Sequence, residues 1–186
     1  MRAVMLNVPE SLLEERRRKG LDSIDEMWEG VLHMVPPPSS SHQKLGSDLL
    51  EALRPFARAQ GLTLVYEMGV YRGDRDYRVA DLVAYRPDQL SSRGVERGPE
   101  VVFELLSPND ETYEKLPFYE SMGVREVFVI DPETVRIELF LLRGGKLLPA
   151  VPDASGVLRS EVLGIGLRSK DNELFLVNGD GERALP

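Results

Sequence analysis

The chain has no cysteine, and its 186 residues include only two histidines, His33 and His42. Without cysteine there is no disulfide framework, no thiolate zinc site and no cysteine nucleophile. Two histidines leave little material for an imidazole metal centre or a Ser-His-Asp triad. Lysine is scarce as well: Lys19, Lys44, Lys115, Lys146 and Lys170 are all there are, and most positive charge is carried by arginine. No apolar run approaches the ~20 residues of a membrane-spanning helix. The N-terminal region turns charged at Glu14 to Lys19 without an apolar leader segment, so a cytoplasmic location and no membrane partner are expected. Positive charge is also in deficit, with a net charge of −8. That sign is wrong for a protein that coats nucleic acid. It leaves room for a local basic groove, or for a metal site that recruits phosphate. Phosphate-binding loops, dinucleotide fingerprints and internal repeats are absent.

What is present is organised around residues 79–129. Two apolar strands there each carry one carboxylate: Val79-Ala80-Asp81-Leu82-Val83-Ala84-Tyr85 and Val101-Val102-Phe103-Glu104-Leu105-Leu106. Lys115 follows, and then a third strand, Glu126 to Asp131. An ionised carboxylate inside a buried strand is costly unless a cation meets it. Two such carboxylates and a nearby lysine point to one shared cation site. Hard divalent metals such as Mg²⁺ take carboxylate and carbonyl oxygens, often only one or two carboxylates, with water and phosphate completing the shell. By strand alternation Asp81 shares a face with Val79, Val83 and Tyr85, and Glu104 shares one with Val102 and Leu106. The two acids meet if their strands are neighbours.

The rest of the chain reads as an ordered set of short elements. A helix is expected over residues 7–19, capped by Asn7, with a basic end at Arg16 to Lys19 and a stop at Gly20. Residues 24–35 read as a strand or hairpin, followed by the stiff loop Pro36-Pro37-Pro38 and the capping serines Ser39 to Ser41. Residues 41–60 carry His42, Leu45, Leu49, Leu53 and Phe56 at helical spacing, with Pro55 expected to kink or restart that helix. His42 opens its apolar face, either as a capping or packing residue or at the edge of a site. A strand over 62–72, bent at Gly69, pairs with the Asp81 strand through the turn at Gly73 to Asp76. Residues 86–99 form a polar loop with Arg86, Arg93 and Arg97.

After the Glu104 strand, Ser107-Pro108-Asn109-Asp110 turns the chain into a helix over about 111–122. Pro117 suggests that this helix becomes regular only there, leaving Lys115 in the preceding turn. A helix between the Glu104 strand and the strand at 125–131 implies a parallel crossover. A strand from Val135 to Leu142 and the turn Gly144-Gly145 come next, then small strands or a final hairpin over 146–186. The expected division is a helical arm at 1–24, a core at 25–145, and a C-terminal β extension at 146–186 packed on the same domain.

From Asp81 and Glu104-Leu105-Leu106-Ser107-Pro108, through Lys115, to Gly123-Val124-Arg125-Glu126-Val127-Phe128-Val129-Ile130-Asp131-Pro132, the chain resembles the Uma2 family. That is a large bacterial group of predicted endonucleases with the restriction-endonuclease-like, PD-(D/E)xK fold. The resemblance runs from about Asp25 to Leu142 and takes in Glu26-Met27-Trp28-Glu29-Gly30 and Pro36-Pro37-Pro38-Ser39-Ser40-Ser41-His42. It implies an α/β (α+β) fold with a mixed central β-sheet flanked by helices, here with an extra N-terminal helix and C-terminal strands. It further implies that Asp81 and Glu104 are metal ligands, with the Leu105 carbonyl beside them. Ala80 stands where the motif's proline would be, and Leu106 where its lysine would be. Lys115 matches the lysine the family uses instead, and Glu26 matches an upstream glutamate that reaches the same site.

The implied activity is Mg²⁺-dependent (or Mn²⁺-dependent) hydrolysis of DNA phosphodiester bonds. Lys115 would stabilise developing charge or orient water, Glu26 would hold a second metal or a water, and His42 would contact phosphate. Two other readings stand beside it. One is a non-catalytic binding or assembly protein in which Lys115 only neutralises Asp81 or Glu104. The other is a metal-dependent hydrolase of a smaller phosphate ester. Cutting both strands of a duplex would need a dimer or two separate encounters, and a homo-oligomer is expected with the nuclease.

Overall fold

The computed structural model describes residues 3–20, 22–108 and 111–185. β1 (Ala3–Met5) and α1 (Glu10–Lys19) precede a hairpin of β2 (Glu26–Trp28) and β3 (Val31–Met34). α2 (Ser40–Ala59) is followed by a long hairpin, β4 (Thr63–Gly73) and β5 (Asp76–Tyr85). β6 (Val101–Leu105), α3 (Thr112–Ser121) and β7 (Glu126–Ile130) form the crossover unit, and β8 (Ile137–Arg143) and β9 (Lys146–Pro149) a further hairpin. β10 (Leu158–Ser160), β11 (Ile165–Lys170), β12 (Glu173–Asn178) and β13 (Gly181–Ala184) complete the chain.

Nine strands make one mixed sheet in the order β1-β3-β2-β5-β6-β7-β8-β9, with β4 paired to β5. The pair β6–β7 is parallel, Val101 lying opposite Glu126 and Leu105 opposite Ile130, as the intervening helix requires. Alternation along β6 sorts the core. Val101, Phe103 and Leu105 pack with Leu49, Leu53 and Ala57 of α2, while Val102 packs with Phe118 and Tyr119 of α3. The α2 side is closed by the four antiparallel strands β10–β13, whose Leu158, Ile165, Leu167, Leu174 and Leu176 belong to that same cluster. The C-terminal residues thus form a small sheet of their own rather than a final hairpin, while Lys146–Pro149 extends the main one.

Several expectations are corrected. The first helix begins at Glu10, with Pro9 and not Asn7 at its cap, because Pro9 fixes an extended residue in front of it. α2 runs unbroken through Pro55, and α3 runs unbroken through Pro117. In each case the carbonyl four residues back, on Glu51 or Tyr113, belongs to an exposed residue. Water can replace the missing donor there, so the helix continues. Lys115 therefore sits inside α3. In β4 the left-handed φ is at Glu67, at 48°, and the register shift falls between Tyr71 and Gly73; neither is at Gly69. β8 starts at Ile137, because Val135 adopts a φ of 56° in the turn before it. The turn read at Ser107 to Asp110 falls in part on Asn109 and Asp110, which lie outside the described residues. In the 86–99 loop the arginines are paired on the protein: Arg86 with Glu100, Arg93 with Asp74 and Glu96, and Arg97 with Asp88.

One detail of the sheet positions the site. β5 is lined along one edge by β4, while its other edge pairs with β2 at Tyr77 and with β6 only at Leu82 to Ala84. Between those two contacts the edge of β5 has no strand partner among the described residues. The gap spans Arg78 to Asp81.

Candidate active site

Side chains, not a strand, satisfy the backbone groups in this gap. The Val79 N–H donates to Glu26 Oε1 at 3.1 Å, and the Val79 carbonyl faces Lys115 Nζ at 3.4 Å. Across the opening, the Leu105 N–H donates to Asp81 Oδ2 at 2.6 Å. A buried amide left without an acceptor costs about 1–3 kcal/mol. The carboxylates therefore have a structural task whatever their chemical one.

The ladder geometry brings Asp81 and Glu104 together. Leu82 lies opposite Phe103, so the next step along both strands places Asp81 across from Glu104, at the point where pairing ends. Regular alternation also breaks here. Ala80 packs with the α3-side cluster and Leu82 with the α2-side cluster, and Glu67, which would face Asp81 from β4, drops out of the register. Asp81 is consequently met from α2, where His42 Nε2 lies 3.3 Å from its Oδ1. Glu104 is met from α3, by Lys115 Nζ at 3.1 and 3.2 Å and by the Tyr119 hydroxyl.

Glu26 comes from the β2–β3 hairpin. Its Oε1 lies 2.8 Å from Lys115 Nζ, and its Oε2 accepts the Trp28 indole N–H at 2.7 Å. With the Val79 amide included, both oxygens of Glu26 are engaged. This favours a role in holding Lys115 over the role of ligand to a second metal. Glu26, Asp81, Glu104, Leu105, His42 and Lys115 all line one cavity of about 330 Å³. The six residues that the family resemblance assigned to the site therefore line one cavity.

The electrostatics follow from burial. Desolvation pushes the Glu104 carboxyl up to about 8; Lys115 opposes the shift, while Asp81 and Glu26 add to it. Burial works against the Lys115 ammonium, but Glu104, Glu26 and Asp81 outweigh it and raise its pKa. Lys115 thus keeps its proton, and Glu104 is the carboxyl that burial drives toward its neutral form. Burial also works against the His42 imidazolium, and the hydrogen bond and charge of Asp81, with smaller help from Leu105 and Glu104, raise its pKa overall.

Sequence reasoning missed three contributors. Tyr119 lies one helical turn beyond Lys115, so its side was legible but its bond to Glu104 was not. Trp28 is two residues from Glu26 on the same strand, a period-two signal that went unused. Glu67 lines the cavity wall, and nothing in its sequence context announces this.

The donor set is compatible with a hard divalent cation. It offers the Asp81 and Glu104 carboxylates and the Leu105 carbonyl, all oxygen. Glu26, Asp81 and Glu104 together exceed the charge of Lys115, and the charges of Asp81 and Glu26 add to the upward shift that burial gives Glu104. Among the described residues no three His, Asp or Glu side chains already converge as a cage. A site of this type would rely on water and substrate phosphate for the remaining positions.

A family profile described as "Uma2: Putative restriction endonuclease" matches residues 16–170. The chain belongs to the Uma2 family. A solved relative of this Uma2 chain is the crystal structure of "a putative nuclease belonging to DUF820 from Anabaena variabilis". It is 14% identical, with 75% of this chain and 82% of that one covered and a TM-score of 0.62. This likeness shows that the two share a fold. A cryo-EM structure of a DrdV–DNA complex is 16% identical over 58% of this chain and 11% of that chain, with a TM-score of 0.33. No curated protein matches. Among the described residues no helix is long and apolar enough to cross a membrane.

Proposed function

We propose that this Uma2 chain is a metal-dependent endonuclease that hydrolyses DNA phosphodiester bonds with Mg²⁺ or Mn²⁺. The observation that carries the reading is the confluence of Asp81, Glu104 and Lys115 in the unpaired gap of the sheet, opening into one cavity. Asp81, Glu104 and the Leu105 carbonyl would hold the cation, which when bound polarises a phosphate and lowers the pKa of water. Lys115, held between Glu26 and Glu104, presents a fixed positive charge where negative charge develops on the phosphate. His42 keeps a proton on Nε2 beside Asp81 Oδ1 and so orients that carboxylate from the α2 side. It also faces the cavity as a contact for phosphate. One site cuts one strand, so cleavage of both strands would take two copies of the chain together or two separate encounters.

The saturation of Lys115 by Glu26 and Glu104 favours a second reading, in which the trio is a structural ion pair on a nuclease fold and the protein binds without cutting. Titration calorimetry with Mg²⁺ and Mn²⁺ on wild type and Asp81→Ala, paired with a plasmid-nicking assay, separates the two. The nuclease predicts metal binding and nicking that are both lost in the variant. No metal binding by the wild type with DNA present leaves the structural ion pair.

A further inference from the structure

The nuclease reading says what bond is broken; the shape and lining of the cavity say how the strand must be presented. Glu26, Glu104 and Lys115 lie at its floor, only 1%, 2% and 7% exposed, while the Asp81 side chain is 17% exposed. Its rim is apolar and stiff. Pro36, Pro37 and Pro38 form one wall, and Ile24, Val35 and Pro108 also contribute. Proline has its φ fixed, so this wall cannot fold away cheaply to widen the mouth. At about 330 Å³ the recess lies at the small end of ligand pockets, which run roughly 300–1,000 Å³.

Charge argues the same way. Proteins that follow a duplex neutralise a series of phosphates with Lys and Arg. Among the described residues that line this cavity, Lys115 is the one Lys or Arg, and Glu26 and Glu104 already hold it. Glu67 adds a further negative group to the wall. Among the described residues lining the recess no second Lys or Arg is there to follow a continuous backbone, and a rigid duplex is too broad to enter a recess of about 330 Å³ and carry its phosphate to the floor. An unpaired nucleotide can, with its phosphate toward Asp81 and Glu104 and its base against the prolines. Enzymes that act on a base in such recesses take single-stranded or extruded nucleotides, at a cost of a few kcal/mol when a paired base must be flipped, and the same cost would meet a duplex here.

We propose that the substrate of this site is DNA with an unpaired nucleotide, a single strand or an extruded base, and not a regular duplex. The proposal rests on the nuclease reading. Binding is measured apart from turnover, by fluorescence anisotropy of a short fluorescein-labelled oligodeoxynucleotide in Ca²⁺. The single strand is compared with the same sequence annealed to its complement. Cleavage is then measured in Mg²⁺ on a perfect duplex and on one carrying a single bulged nucleotide.

Tighter binding of the single strand by about tenfold or more, with cutting confined to the single strand and the bulge, supports the proposal. Equal or tighter binding of the duplex, or equal cutting of the perfect duplex, overturns it and leaves the nuclease reading standing. Preferential binding of the single strand with no cutting of any DNA overturns the nuclease reading but keeps the preference for an unpaired strand. No binding of either DNA overturns both. Pro37→Glu places a like charge on the exposed rim. It is expected to weaken single-strand binding about tenfold with an unchanged melting temperature; an unchanged affinity overturns the proposed route into the cavity.

Discussion

Lys115 reaches Glu26 across the cavity from a different layer of the fold. The lysine stands on α3, the glutamate on the β2–β3 hairpin, and they meet at 2.8 Å with side-chain exposures of 9% and 1%. Glu104 completes the arrangement from the sheet at 3.1 Å. Replacing one member of such a buried set leaves its partners uncompensated, at a cost of about 3–5 kcal/mol. Lys115→Met should therefore lose about that much stability in urea at neutral pH, and adding Glu26→Gln with Glu104→Gln should restore a large part of it. A loss below about 1 kcal/mol, the range of exposed pairs, would mean that the trio is more hydrated than its burial indicates.

A second buried carboxylate lies away from the cavity and gives a cleaner pH signal. Glu126 accepts the Ser160 hydroxyl at 2.5 Å and the Val162 N–H at 2.9 Å. Burial raises its pKa above the ordinary 4.5, and these hydrogen bonds only partly oppose the shift. An acid with a raised folded-state pKa contributes stability that is present below its unfolded value and is lost as pH rises through the folded value. Wild-type stability should therefore decline as pH climbs from 4.5 through that raised value. Glu126→Gln should remove this part of the slope, because the Ser160 hydroxyl can turn to accept the new amide while Val162 keeps its acceptor. Parallel wild-type and variant curves of unfolding free energy against pH would show that Glu126 does not titrate as its burial requires.

The arrangement of α2 over the sheet depends on Gly46. A Cβ there would press on the Tyr66 ring and come within 2.8 Å of its hydroxyl oxygen. Tyr66 sits next to Asp81, whose charge together with burial raises the tyrosine pKa. Alanine gains about 1 kcal/mol over glycine in helix propensity, but overpacking typically costs about 1–3 kcal/mol. Gly46→Ala should be destabilising on balance, and Tyr66→Leu in the same chain should relieve it. A double-mutant cycle checks this: additive effects would show that the ring moves aside freely.

The order of elements was legible because periodicity and punctuation agree with the fold. The spacing of Leu49 and Leu53 marks α2, and the apolar strand runs mark β5, β6 and β7. Gly20 and Gly123 mark helix ends, and the helix between Glu104 and Glu126 implies the parallel pair that is found. Asp81, Glu104 and Lys115 stood out because charge inside an apolar run demands a partner. What escaped was tertiary. Whether a proline breaks a helix depended on the exposure of Glu51 and Tyr113, which the local sequence does not state. The gap in β5 arises because β2 and β6 diverge along one edge, a relation between segments far apart in the chain. The role of Trp28 in holding Glu26 follows from that gap and was invisible without it.

Glu67 gives the last prediction, because its backbone and its side chain pull in different directions. It is a non-glycine residue at a φ of 48°, and it drops out of the β4–β5 register opposite Asp81. Its side chain accepts a hydrogen bond from the Gln43 side chain, at 3.2 Å on the surface. Such a backbone conformation costs about 1–3 kcal/mol for a residue with a Cβ, while glycine adopts it freely and loses somewhat more entropy on folding. Glu67→Gly should therefore raise stability by about 0.5–1 kcal/mol, since it sacrifices little packing. Glu67→Ala removes the same carboxylate but keeps the strain, and should leave stability nearly unchanged. Measured side by side in urea, the two variants separate backbone from side chain. If both are equally stabilised, the gain comes from removing a negative charge beside Asp81 and not from relief of strain. If only the glycine variant gains, the strain is real, and the fold carries it at the wall of the cavity where the carboxylates gather.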